Sequence, residues 1–173
     1  NIVARGAEIQ ANRTLAVIRR MFNFAIERDI LEFSPCTTIK APAKENIKDK
    51  VLSDVEIKAL WSQLDECKSM DRRIALILKL ILITGQRKIE CLHLKHSEID
   101  NFGWWTIPKE ISKNGKPHRV FLSPKANEVI TLAKELLPES DLVFPSPRTG
   151  KPFIGSSIDH ALRDIKAQKI IKV

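Results

Sequence analysis

The ten residues from Ile74 to Ile83 carry a single charge, Lys79, and the helix they belong to constrains everything around it. The run falls well short of the ~20 apolar residues that a helix needs to cross a bilayer. It therefore reads as a buried helix. From Asp71 to Ile83 it is apolar on nearly every side, so other elements must cover it all round, and it belongs at the centre of a core. Gly85 is placed to close it. The chain's 173 residues suffice for one ordinary domain, or for one domain with part of another.

Periodicity supplies the surrounding elements. Ser53-Asp54-Val55-Glu56 fits a capping box, in which the serine and glutamate side chains satisfy free amide donors reciprocally. Ile57, Leu60, Trp61 and Leu64 then form one apolar helical face. A short helix is expected from Gln86 to His96. The pattern then changes: Trp104-Trp105-Thr106-Ile107 and His118-Arg119-Val120-Phe121-Leu122 read as strands. Between them Asn114-Gly115 favours the positive φ angles of a tight hairpin turn. Helical spacing resumes after Pro124 with Ala126, Val129, Ile130, Ala133 and Leu137. A last helix starts at Ser156 or Ser157 and carries Ile158, Leu162 and Ile165. The expected fold class is α+β, mainly α, with a small antiparallel sheet.

Upstream, Leu15, Ile18, Phe22, Ala25 and Ile26 predict a helix from about Asn12 to Ile30, capped by Asn12 and stopped by Ser34-Pro35. One helix cannot bury its own stripe. Residues 1–34 are therefore expected to be the end of a helical domain that begins further upstream. Residues 35–50 read as a basic linker with Lys40, Lys44, Lys48 and Lys50, and a second domain occupies residues 51–173.

Composition narrows the function. The chain has 29 Lys plus Arg against 21 Asp plus Glu, a formal net charge of +8, which points to nucleic acid first and a membrane surface second. An apolar content of 43% excludes a disordered chain. Cys36, Cys67 and Cys91 are too few and too far apart for a disulfide scaffold, which suggests a reducing compartment. No secretory leader is visible at the start. There is no phosphate-binding glycine loop and no nucleophile elbow. Glu90, His93 and His96 invite a metal reading, but no Cys or Asp completes the set, so helix-surface histidines with no metal are expected.

Two clusters remain. In Thr84-Gly85-Gln86-Arg87-Lys88-Ile89-Glu90, a buried helix ends at glycine and an arginine sits where the next helix begins. Backbone amides and the helix dipole favour an anion there, and Glu90 lies one turn on to orient Arg87. By spacing alone, Arg87 can equally be a solvated arginine in a turn. The second cluster is Lys113, Lys116, His118 and Arg119, which by themselves can do no more than keep a sheet edge soluble.

Taken in order, these segments resemble a known family. Thr84 to Glu90, followed by Leu92, Leu94 and Glu98-Ile99-Asp100, is similar to the first-arginine box of the tyrosine recombinases, or phage integrases. Ser112-Lys113-Asn114-Gly115-Lys116-Pro117-His118-Arg119-Val120-Phe121-Leu122-Ser123 resembles their β-hairpin with its catalytic lysine. Asn12-Arg13 through Phe22, Ala25 and Ser34-Pro35 resembles the last helix of the core-binding domain in prophage-type integrases. Phe121 stands where the family often has proline, which reads as harmless on a strand.

The resemblance implies a tyrosine-recombinase-like catalytic domain that performs DNA integration or recombination through a 3′-phosphotyrosyl intermediate, with no cofactor. It implies Arg87 and Lys113 as catalytic residues, with Glu90 in support, and Lys40, Lys44, Lys88, Lys116 and Arg119 as DNA contacts. The implied partner is double-stranded DNA, bound by a homo-tetramer, with no membrane and no small-molecule substrate. The implied location is the bacterial cytoplasm, associated with the nucleoid. His160-Ala161-Leu162-Arg163 superficially fits the family's later His-x-x-Arg box. Asp164 follows the arginine, and the spacing from Lys113 is short, so it reads as the charged face of a helix. The chain contains no tyrosine at all. It is expected to be a piece of the enzyme that lacks the later box and the nucleophile, and to bind DNA without cleaving it. The alternatives are a non-catalytic basic DNA-binding module and a basic scaffold for protein partners.

Overall fold

The computed structural model describes residues 2–45 and 51–167, and in the last helix the side chains as far as Ile165. The linker lysines Lys48 and Lys50 lie outside the described residues. The chain divides into two compact units, Asn1–Val51 and Leu52–Val173.

In the first unit a 3-10 turn, Val3–Arg5, precedes helix α1, Glu8–Ile26. The helix starts four residues before the expected cap, and Asn12 lies inside it. Its side-chain amide instead clasps the backbone of Ala43, donating to the carbonyl at 2.8 Å and accepting from the amide at 3.0 Å. The helix also stops well before Pro35. Asp29 turns into the left-handed region at φ 56, while the Asp29 amide donates to Ile26 O at 3.0 Å and the Ile30 amide to Ala25 O at 2.9 Å. That pair of bonds is a Schellman stop, with aspartate where glycine is usual. Residues 39–43 run back along α1, where Arg19 donates to Ile39 O.

In the second unit, α2 spans Asp54–Glu66 and opens with the expected capping box: Ser53 N donates to Glu56 Oε2 at 2.8 Å. Helix α3, Arg72–Thr84, is the centre. Ala75 to Leu80 are buried consecutively, and α2, α5 (Pro124–Leu136), α4 (Lys88–Leu92) and α6 (Gly155–Ala167) all pack on it. Its one mid-helix charge, Lys79, is taken up by Asp65 at 2.5 Å and by the face of Trp61 at 4.5 Å.

Strands β1 (Trp104–Ile107) and β2 (His118–Phe121) pair antiparallel, with Trp104 opposite Phe121 and Ile107 opposite His118. Trp105 and Ile107 point into the core at 1% and 0% exposure. Three expectations are corrected here. The stretch from 86 to 96 is a five-residue helix and a 3-10 turn, His96–Glu98, rather than one helix. Lys95 leaves the helical path to bridge Leu142, and the Val143 amide donates to Leu94 O at 3.0 Å. The β1–β2 connection is not a tight turn but the ten residues 108–117. Only Gly115 takes a positive φ there, at 63°. It closes a turn in which its amide donates to Ser112 O at 3.1 Å. In α6 the inward positions are Ile158, Ala161 and Ile165, whereas Leu162 is 40% exposed.

Candidate active site

The arginine of the first cluster is placed by three local events. Gly85 closes α3 at φ 64, its amide donating to Ile81 O at 2.9 Å. A Cβ there would meet no neighbour, so glycine serves the left-handed backbone rather than close packing. The chain then extends through Arg87, at φ −65 and ψ 145, into the first turn of α4. Glu90, three residues on, reaches back. Its carboxylate accepts from the Arg87 amide at 2.9 Å and from Arg87 Nη1 at 3.1 Å. The Glu90 side chain is fully buried while that of Arg87 is 49% exposed. A buried anion thus aims a half-open guanidinium, which retains donors for an incoming oxyanion.

The neighbouring groups support this arrangement. Burial pushes the Cys91 thiol up to about 12, with Glu90 adding to the rise and a hydrogen bond with Thr84 opposing it, so Cys91 is an apolar filler under the turn. Gln86 Oε1 meets His118 Nε2 at 3.2 Å, tying the start of β2 to the residue before Arg87. Sequence reasoning placed His118 in the second cluster and missed Gln86 as its partner.

Lys113 and Lys116 are exposed on the β1–β2 loop, and neither forms a hydrogen bond or ion pair with the described residues. No hydrogen bond or ion pair joins Lys113 to Arg87 or Glu90, whose carboxylate is taken by Arg87. Two of the expected DNA contacts are already engaged. Lys88 Nζ holds both carboxylate oxygens of Asp159 at 2.7 and 2.8 Å. Arg119 is ion-paired with Asp100 and lies 5.0 Å over the Trp104 ring. Asp100 is correspondingly lowered below the ordinary carboxylate range, first by the Trp104 amide and further by the Phe102 amide and Arg119. Lys40 and Lys44 are exposed in the first unit.

His160 and Arg163 are exposed on α6. Arg163 Nη2 lies 3.1 Å from His160 Nδ1, and its Nε donates to Asp159 O at 3.3 Å, so the pair forms a surface cluster on its own helix. Glu90, His93 and His96 do not converge: Glu90 is taken by Arg87, and His93 Nδ1 lies 2.9 Å from Ile89 O. Among the described residues no His, Cys, Asp and Glu gather in the manner of a metal site.

Known proteins resemble this chain in sequence and in fold. A prophage ps2 probable integrase from Lactococcus lactis subsp. lactis is 30% identical over 90 residues, covering 48% of this chain and 23% of that protein. Tyrosine recombinase XerD of Vibrio cholerae is 29% identical over 144 residues, covering 79% of this chain and 47% of XerD. The chain thus spans less than half the length of either relative. Among solved structures, a lambda integrase tetramer bound to a Holliday junction superposes with a TM-score of 0.78 at 19% identity, over 99% of this chain and 50% of that one. At that identity the likeness is one of fold. The model of the phage integrase family matches residues 50–172. On this match the chain belongs to the phage integrase family.

Proposed function

We propose that this chain supplies the phosphate-handling part of a site-specific DNA recombinase, which breaks and rejoins strands through a 3′-phosphotyrosyl intermediate. The observation that carries the reading is the buried Glu90 carboxylate holding Arg87 half-open at the start of α4. A tyrosine oxygen attacks the phosphorus, the bond to the 5′-oxygen breaks, and the leaving oxygen takes up a proton. Negative charge gathers on the non-bridging oxygens, where a preorganised guanidinium binds in a bidentate fashion. By analogy with an oxyanion-hole donor, removing it costs roughly 3–4 kcal/mol of transition-state stabilisation. Lys113 is the general acid: an exposed ammonium with no partner among the described residues is free to meet DNA and deliver the proton. The covalent phosphotyrosyl bond replaces the broken one, so strands rejoin without a high-energy cofactor.

In this reading residues 1–34 are the end of a core-binding domain and residues 35–50 a basic linker whose Lys40 and Lys44 meet phosphates. Residues 51–173 then belong to the catalytic domain. Lys88 and Arg119 contact DNA only if Asp159 and Asp100 release them. The partner is double-stranded DNA, on which the intact recombinase assembles as a homo-tetramer, in the cytoplasm at the nucleoid. Among the described residues, no helix is long and apolar enough to cross a membrane. These 173 residues contain no tyrosine, so the nucleophile comes from outside them.

The chain alone should bind duplex DNA with an affinity that falls steeply between about 50 and 200 mM salt. It should give no denaturant-resistant adduct with a nicked suicide duplex. The decisive test is a chimera in which residues 1–173 are continued by a segment carrying a His-x-x-Arg box and a tyrosine. The chimera should trap the adduct. With sulfur replacing the leaving oxygen, Lys113→Ala should regain cleavage and Arg87→Ala should not. Equal rescue of both, or of neither, removes Lys113 from the acid role. Intact duplex binding with no adduct leaves a non-catalytic DNA-binding module.

A further inference from the structure

The sheet face turned away from the core is unusually rich in π surface. Burial alternates along both strands, and the register puts Trp104 opposite Phe121 and Thr106 opposite Arg119 on the exposed side. Phe121 is 57% exposed and Trp104 36%, and their rings meet edge to face at 5.4 Å. Arg119 lies over the Trp104 ring, is held by Asp100, and keeps 52% of its side chain exposed. A guanidinium over an aromatic ring, held by a carboxylate and half exposed, offers a planar cation on which a flat ring can stack. Beside it Phe121 joins Phe102, which is 83% exposed, in lining a groove of about 390 Å³ together with Asn101 and Asn127.

We propose that this face and groove take an unpaired nucleobase of a DNA strand, an inference that rests on the DNA reading above. Every base has a π face, which aromatic rings and arginine planes accept without regard to sequence. Amide side chains at the groove can meet the edge of a base, a contact that asparagine makes well. Charge selects nucleic acid over a neutral apolar partner. From Lys109 to Arg119 the chain carries four cations against one acid, Glu110. Asp100, which lines the groove, neutralises Arg119, and Glu110 lies 4.0 Å from Lys109, so the positive excess rests on Lys113 and Lys116. Lys113 and Lys116 sit on the loop at the opposite end of the strand pair from the groove, exposed and unpaired with the described residues, so a phosphate backbone meets them only by running from the groove along the strands past Arg119. A fully paired duplex hides its ring faces, so the site discriminates in favour of single strands.

The test compares a labelled oligothymidine of about a dozen nucleotides with a blunt duplex of about 20 base pairs, by fluorescence anisotropy. Phe102→Ala and Phe121→Ala remove highly exposed rings, and far-UV circular dichroism verifies that both variants are folded. Each should weaken single-strand binding by about five-fold or more while leaving duplex binding within about two-fold. Phe121→Trp should restore the single-strand affinity, and binding should quench tryptophan emission in the unmutated chain. Equal losses on both probes, or no loss on the single strand, would overturn the proposal. So would concentration-dependent self-association that the two alanine variants abolish, since the face would then belong to a second copy. Single-strand binding with no salt-sensitive duplex binding would sink the recombinase reading and leave this one standing. The reverse pattern sinks this one alone.

Discussion

The ion pair between α2 and α3 is lopsided, and the asymmetry sets a sharp expectation. The Lys79 side chain is 7% exposed whereas that of Asp65 is 45% exposed, with Arg72 a further 3.8 Å neighbour. Removing the carboxylate strands a buried ammonium, which typically costs about 3–5 kcal/mol. The Trp61 face, 4.5 Å from Nζ, still offers a cation–π contact that offsets about 1–2 kcal/mol of that loss. Asp65→Ala should therefore destabilise by about 1–4 kcal/mol, which at 2–4 °C per kcal/mol lowers Tm by about 2–16 °C. Lys79→Met removes the charge from the same helix but keeps the volume, and water rescues the half-exposed carboxylate it leaves behind. Its cost should stay within about 1 kcal/mol. The double variant should match Lys79→Met alone, giving a coupling equal in size to the whole Asp65→Ala loss. Urea unfolding followed by circular dichroism measures all three. Equal losses from the two single variants, or additivity in the double, would refute the reasoning, because each outcome requires both charges to be similarly buried.

Glu90→Gln should cost about 1–2 kcal/mol in calorimetry, since the amide keeps its shape but offers Arg87 no charged acceptor. Glu90→Ala should cost more, because the Arg87 amide then loses its acceptor too. The raised Cys91 thiol stabilises the fold fully below its ordinary value of 9.0, and that contribution disappears as pH climbs toward about 12. The urea midpoint of the unmutated chain should accordingly fall over that range more than the midpoint of Cys91→Ala. At neutral pH a thiol reagent should label the half-buried Cys67 first, with Cys36 and Cys91 reacting on unfolding, as mass spectrometry will show.

The features legible in the sequence were those whose partners lie close by along the chain. The Ser53–Glu56 box, the all-round apolar α3 and the reach of Glu90 back to Arg87 each span three to four residues or one helix, and each stands as read. What was missed mostly involves distant partners. Asn12 looked like a cap, because nothing local shows that its amide clasps Ala43, 31 residues on. That Lys88 and Arg119 are ion-paired was equally hidden, because Asp159 and Asp100 lie 71 and 19 residues away. Asn114-Gly115 suggested a tight turn, but β1 ends at Ile107 and a ten-residue loop intervenes, which leaves only the glycine left-handed. Phe121 read as a harmless strand residue. Only the register, which sets it opposite Trp104, turns it into part of an exposed aromatic face.

The β1–β2 loop has one stiff arm and one slack one. Ser112 is 9% exposed, and its amide is anchored to Pro108 O at 3.1 Å, so Lys113 hangs from a fixed pivot by a single peptide unit. On the far side, residues 114–117 return to β2 with nothing buried among them. An extra residue inserted after Gly115, whose amide is held by Ser112 O at 3.1 Å, lengthens the return to β2 at small entropic cost and leaves the pivot where it was. An insertion before Ser112 moves the pivot itself, and the ammonium with it. The loop can therefore change length freely in one direction along the chain without altering how far Lys113 reaches.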